Sequence, residues 1–245
     1  RVLARTKELE QANLELEKAN KNLANAQLKA EQAHLKKSQY LRACSHDLLQ
    51  PLSAARLFSS AIRLSSKVSE QEKEQIKQIE NSLDIANNLL LDLNEIARIE
   101  SGNISPDLSV IPVERLFTML QTEFSALTKD FKIDFHCQSS KLFIKSDLTL
   151  LARIVQNFLS NAFRYANNGK VLLGCRRKGQ NLCIQVLDNG PGIPEDKQQQ
   201  VFEQFTQLST KIVGPKGLGL GLNIAQSLAS IVQHNLDLTS KAGCG

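Results

Sequence analysis

Residues 1 to about 40 contain neither glycine nor proline, and their apolar side chains recur every seven residues. Val2, Leu9, Leu16, Leu23 and Ala30 occupy one core position of the heptad, and Ala12, Ala19, Ala26 and Ala33 fill the other, three residues later. So narrow a strip is hidden from water only against a second helix, and the pattern predicts a coiled coil over 1–40. Leu28 and Leu35 fall out of register, which predicts a local stutter. A solvated linker helix is the alternative.

Two broader amphipathic stretches follow. One runs from about Ser38 to Ser66 with Leu41, Leu48, Leu52, Ala55 and Ile62 on its apolar face; the other carries Ile76, Ile79, Leu83, Ala86, Leu90, Leu93 and Ala97 at alternating spacings of three and four. Between them Ser69 and Glu72 have the spacing of a capping box, in which each side chain satisfies an orphan amide at the helix start. The expectation for 41–103 is an antiparallel helical hairpin. Since a lone hairpin cannot cover both apolar faces, it pairs with a second copy as a dimeric four-helix bundle.

Ser101, Gly102, Asn103, Ile104, Ser105 and Pro106 read as a helix stop and a turn, and the period changes after them. Over 104–245, β-like runs at 132–137, 142–146, 170–176, 182–187 and 236–239 are interleaved with helical runs near 112–129, 148–166 and 221–234. The fold class is α+β: a helical bundle followed by a sandwich with helices on one face of a sheet.

Composition excludes several function classes. No run approaches the roughly 18 apolar residues of a membrane span, so no membrane contact is expected within this segment. The charge of +5, from 30 basic and 25 acidic residues, does not demand nucleic acid, and the absence of tryptophan weakens any base-stacking surface. Five scattered cysteines without a CxxC pair argue against a disulfide framework or thiolate zinc site and for reduced thiols in a cytoplasmic compartment. Arg1 in place of an initiator Met, with no signal peptide, points to a segment of a longer protein whose membrane anchor, if present, lies upstream.

The chemistry-bearing residues fall in islands. His46 lies about 200° around the helix from Leu48, away from the apolar face. Asp47 follows it, a carboxylate able to orient the imidazole, and Gln50 is one turn ahead on the same face. Pro51 removes the amide that would bond to the carbonyl of Asp47. His34, His136 and His234 lack such a setting. Asn157, Asn161 and Arg164 share one face of the run 148–166, where two amides and a guanidinium can hold phosphates and a metal ion. DNGPGIP at 188–194 lets the backbone turn sharply beside a ligand. GLGLGL at 217–222 opens a helix, so the amides of Gly219, Gly221 and Leu222 can face phosphate at its positive end. It is neither a Walker A loop nor a dinucleotide fingerprint. The stretch Gln207 to Lys216 has no period and is expected to form a lid over the ligand, with Phe202 and Phe205 as hydrophobic anchors beneath it.

In order and spacing, SHDLLQPL at 45–52, NFLSNAFRYA at 157–166, DNGPGIP and GLGLGL, with VFEQF at 201–205, resemble the signature boxes of sensor histidine kinases. The resemblance implies a GHKL (Bergerat) ATP-binding sandwich, with ATP and Mg2+ as cofactors and His46 as phosphoryl acceptor polarised by Asp47. It implies that Asn161 is the metal ligand, that Asp188 hydrogen-bonds the adenine amino group, and that Gly190 and Gly192 allow close backbone approach. Asn157, Arg164, Tyr165, Lys216, Gly217, Gly219, Gly221 and Leu222 complete the nucleotide site. The implied partners are a second copy and a response-regulator receiver domain.

Two departures matter. Gln50 stands where Thr or Asn commonly places the water that removes phosphate from the partner, and the pattern His-Asp-Leu-x-Gln-Pro resembles hybrid-type kinases. Asn157 stands where the related hydrolases carry a water-activating Glu and cannot act as a general base, which favours transfer to His46. An ATPase or Ser/Thr kinase on the same fold, or a degenerate nucleotide-binding scaffold, is the alternative function. The chain reaches Gly245 soon after the run 236–239, where the family continues into a further strand.

Overall fold

The computed structural model describes residues 16, 20–21, 48–63, 69–102, 104–166, 168–207 and 219–245. The expected coiled coil lies outside the described residues apart from Leu16, Asn20 and Lys21, which are helical. His46, Asp47, Lys216 and Gly217 also lie outside them.

Helix α1 (48–63) and helix α2 (Glu70–Glu100) form the hairpin. Helix α2 starts at the expected capping box: Ser69 Oγ accepts from the Glu72 amide and Glu72 Oε2 accepts from the Ser69 amide at 2.8 Å. It stops at Ser101, and Gly102 takes φ +67°, the left-handed geometry that glycine enters without a Cβ penalty. Across the hairpin Arg56 pairs with Asp84 at 3.1 Å, Ser60 donates to Glu80 at 2.7 Å and Arg63 pairs with Glu80 at 3.0 Å. Position numbers fall on one helix as they rise on the other, so the helices are antiparallel. These solvated contacts fix register more than they add stability. Leu57, Phe58 and Ile62 on α1 and Ile79 on α2 stay exposed, Phe58 at 70%.

The second unit comprises strand β1 (Ser109–Pro112), helices α3 (Val113–Ser125) and α4 (Thr128–Phe131), strands β2 (Asp134–Cys137) and β3 (Phe143–Ser146), helix α5 (Leu148–Tyr165), strands β4 (Lys170–Lys178) and β5 (Asn181–Asp188), and helix α6 (Gly221–Ile231). β1 and β3 form an antiparallel ribbon; β2, β4 and β5 form a sheet with β2 parallel and β5 antiparallel to β4. The inward residues Val171 and Leu173 of β4 meet α3 and α5 in a core that includes Leu116, Leu120, Leu159 and Phe163. Phe163 has Phe124, Phe131 and Phe135 around it at centroid distances of 5.1, 6.2 and 5.3 Å, all edge-on. The opposite side of α5 offers Ile154 and Phe158 to Ile224 and Leu228 of α6, and Ile96 and Ile99 of α2 join that second cluster. Helix α5 is therefore the shared wall between sheet, α6 and hairpin.

Two local expectations are corrected. The run 236–239 is not a strand, because its alternating pattern has no ladder partner among the described residues, and the helix expected near 112–129 is split into α3 and α4 and preceded by β1.

Candidate functional site

Asp147 starts α5. Its Oδ1 accepts from the amides of Thr149 and Leu150 at 2.8 and 3.0 Å, and its Oδ2 accepts from the amide of Asp107 at 2.9 Å. Burial alone would raise this carboxyl, but the three amides hold it below the ordinary aspartate range. One side chain thus caps the helix and ties it to the segment that leaves the hairpin. At the far end, Asn189 Oδ1 accepts from the Lys170 amide at 2.6 Å and joins the start of β4 to the end of β5.

Between these anchors Arg153, Asn157, Asn161 and Arg164 recur at spacings of four, four and three, so they stand on one stripe of α5. The stripe forms one side of a cleft of about 540 Å³, within the usual range for small-molecule sites. The other sides are the loop after β5 with Asp188 and Gly192, the start of α6 with Gly219, Gly221 and Leu222, and the α2 residues Asn88, Leu89 and Asp92. Tyr165 also lines it.

Each wall has a local cause. Asp188 Oδ1 accepts from the Gly190 amide at 2.8 Å, folding DNGPGIP back on itself, and Asp188 Oδ2 bonds no other described residue. Gly190 does not line the cleft; a Cβ there would lie 3.2 Å from the Tyr165 carbonyl oxygen, so the glycine lets the loop sit against the end of α5. Gly192 takes φ +68°. Helix α6 begins at Gly221, on the cleft wall, and no side chain among the described residues caps it, so its first amides lack a capping partner there. Gly221 packs closely on the stripe, since a Cβ there would lie 2.9 Å from Asn157 Oδ1 and would have to displace that amide.

Asn157 is 9% exposed, and its Nδ2 donates to the Arg153 carbonyl at 2.9 Å. Its amide is thereby tied along the helix and cannot take up a proton. Asn161, by contrast, makes no side-chain hydrogen bond to another described residue and is half-buried on the cleft wall. No group of three or more His, Cys, Asp or Glu able to hold a metal exists among the described residues. A divalent ion in this cleft would take its remaining oxygens from phosphate and water, and a single amide oxygen at Asn161 suits Mg2+, which commonly keeps only one or two protein ligands beside substrate phosphates.

Of the residues expected from sequence, Asn157, Asn161, Arg164, Tyr165, Asp188, Gly192, Gly219, Gly221 and Leu222 are brought together here. Gln50 is exposed on α1 and does not line the cleft. Phe205 is 59% exposed and is no buried anchor. Sequence reasoning missed Arg153, although its spacing from Asn157 was a usable signal, and it missed the α2 wall, for which no local signal exists. Arg153 Nε bonds Glu95 Oε2 at 2.7 Å and Arg153 Nη2 bonds Asp92 Oδ1 at 3.1 Å. Burial raises the Asp92 carboxyl against the lowering influence of Arg153 and, more weakly, Arg164.

Known proteins give the same picture. Residues 36–102 match the family described as the His Kinase A (phospho-acceptor) domain, and residues 146–245 match the histidine kinase-, DNA gyrase B-, and HSP90-like ATPase family. The circadian input-output histidine kinase CikA of Synechococcus elongatus is 30% identical over 217 residues, covering 85% of this chain and 29% of that protein. The adaptive-response sensory kinase SasA of Crocosphaera subtropica is 26% identical over 219 residues, covering 85% of this chain and 57% of that protein. Full-length ShkA, solved in complex with AMPPNP, superposes with a TM-score of 0.63 at 26% identity over 79% of this chain and 41% of its own. Histidine kinase AdeS of Acinetobacter baumannii shares the fold, with a TM-score of 0.56 at 18% identity over 81% of this chain and 90% of its own.

Proposed function

Because this chain carries, in order, the phospho-acceptor and ATPase domains of a histidine kinase catalytic core, we propose that it phosphorylates its own His46 from ATP and passes the phosphoryl group to an aspartate of a response-regulator receiver domain. The observation that carries the reading is the cleft in which the α5 stripe, the Asp188 loop and the uncapped start of α6 converge. Asp188 binds the adenine amino group through Oδ2, which bonds no other described residue. Arg164 and the amides of Gly219, Gly221 and Leu222 hold the phosphates and Tyr165 borders the base; Lys216 and Gly217, outside the described residues, belong to the same site by resemblance. The bound AMPPNP of ShkA is consistent with a nucleotide here.

Bound beside Asn161, Mg2+ would supply charge neutralisation on the phosphate oxygens. The protein's part is placement. An imidazole nitrogen of His46 attacks the γ-phosphorus, a P–N bond forms as the bond to the ADP oxygen breaks, and Asp47 steadies the positive charge that develops on the ring. Asn157 cannot serve as a base for water, which favours transfer over hydrolysis. Gln50, exposed on α1, stands where Thr or Asn commonly aligns the water that hydrolyses the partner's phosphate, and its longer side chain disfavours that hydrolysis.

The division 1–40 coiled coil, 41–103 dimerisation and phosphotransfer hairpin, 104–245 ATP-binding domain belongs to the same proposal. The exposed Leu57, Phe58, Ile62 and Ile79 are the face that a second copy covers in a four-helix bundle. Among the described residues no helix is long and apolar enough to cross a membrane, and we place this segment in the cytoplasm without nucleic-acid or membrane partners. Chemical lability tests the reaction class. After incubation with γ-labelled ATP and Mg2+, the chain carries label that acid removes and alkali does not; acid-stable label would make it a Ser/Thr kinase, and phosphate release without labelling would make it an ATPase.

A further inference from the structure

Asp92 and Glu95, one turn apart on α2, take up Arg153 at the N-terminal end of the α5 stripe, at 3.1 and 2.7 Å. All three side chains are partly buried, and the apolar contact of Ile96 with the start of α6 continues the same seam. The seam also borders the nucleotide cleft: Asp92 of α2 and Arg153 of the α5 stripe both line it, as does Arg164. In this arrangement the cationic end of the stripe is neutralised by carboxylates of the hairpin. A nucleotide triphosphate brings negative charge to the same low-dielectric space, where like charges repel far more strongly than in water.

We infer that Asp92, Glu95 and Arg153 form an ion-pair latch that parks the ATP-binding domain against α2, and that closing this latch and binding the triphosphate oppose each other. The inference rests on the nucleotide reading of the cleft given above and adds its regulation. Closure of the latch holds α5 against the second helix of the hairpin; nucleotide phosphates draw Arg153 away from the α2 carboxylates, and the domain is freed to move. The coupling is reciprocal, because whatever ATP does to the latch the latch must do to ATP affinity. A signal that twists α2 so that Asp92 and Glu95 leave Arg153 would therefore raise nucleotide affinity without touching a nucleotide contact.

The test uses the 245-residue chain, Mg-ATP titrated by calorimetry, and the double substitution Asp92→Asn, Glu95→Gln, which keeps side-chain size and leaves the ATP-binding domain unaltered. The neutralised protein should bind ATP at least about fivefold more tightly than the unaltered chain, the lower end of coupling between linked sites. Solution scattering gives the second reading. ATP should increase the radius of gyration of the unaltered chain, and the neutralised protein and an Arg153→Gln variant should both be larger before ATP is added. Equal or weaker ATP binding by the neutralised protein, or a radius that neither ATP nor the substitutions change, would overturn the latch while leaving the nucleotide site standing. Absence of ATP binding in both proteins would instead overturn the nucleotide reading and the latch with it.

Discussion

Gly219 and Gly179 share a backbone conformation but not an environment, and the pair gives a sharp prediction about the nucleotide cleft. Gly219 sits at φ +74° where the chain returns to α6, and Gly179 sits at φ +65° in the turn between β4 and β5. An alanine at either position pays the left-handed penalty of about 1–2 kcal/mol. At Gly179 nothing lies within 4 Å of the added methyl. At Gly219 the methyl collides with the backbone of Thr206, whose amide nitrogen and carbonyl carbon would both be 3.0 Å away. Thr206 and Gly219 both line the cleft, so relieving the collision spreads two neighbouring residues of its wall apart. If spreading removes the strain and with it the ATP-binding geometry, restoring that geometry costs ATP about 1–2 kcal/mol, a loss of roughly 5- to 30-fold in affinity. Calorimetric titration with Mg-ATP should show this loss for Gly219→Ala. Gly179→Ala should bind ATP as the unaltered chain does, while melting at a lower temperature. Unchanged affinity in Gly219→Ala, or equal losses in both variants, would refute the reasoning.

Removing the α5 cap by Asp147→Ala should destabilise the ATP-binding domain by about 1–2 kcal/mol, read as a lower urea midpoint. Because the folded carboxyl lies below its unfolded value, the stability it supplies is present at neutral pH and disappears as pH falls through the folded pKa, so the variant and the unaltered chain should converge in acid. His234 Nε2 lies 2.9 Å from Ser146 Oγ, and burial holds the imidazole below its ordinary value of 6.5. The unfolded chain therefore binds the proton more readily, and stability should decline as pH drops from about 6.5 toward the folded pKa. Denaturation midpoints at pH 7.5 and pH 5.5 should separate more for the unaltered chain than for His234→Gln; identical separation would remove His234 from the account.

What the sequence made legible was local. The capping box at Ser69 and Glu72, the stripe Asn157, Asn161, Arg164 and the turn after Asp188 each follow from neighbours within a few residues, and each is present. Strand β1 was not legible, because four residues ending in proline show no period and their partner β3 lies more than thirty residues on. The run 236–239 has strand-like alternation, but alternation supplies only one of the two things a strand needs, the other being a neighbour to bond. The spacing of Arg153 from Asn157 put it on the stripe, but its ion pair was not legible: Asp92 and Glu95 stand 61 and 58 residues upstream, in the other domain, and no pattern within α5 announces them. Phe205 illustrates the opposite error: an aromatic side chain near a glycine-rich segment invites burial, yet it stands exposed, on a left-handed backbone at φ +62°.

The most direct test is to compare the unaltered chain with His46→Ala in one experiment that records both Mg-ATP affinity and label transferred from γ-labelled ATP. The account predicts equal affinity in the two proteins and acid-labile label confined to the unaltered chain, on an imidazole nitrogen of His46. Acid-labile label persisting in His46→Ala would contradict it.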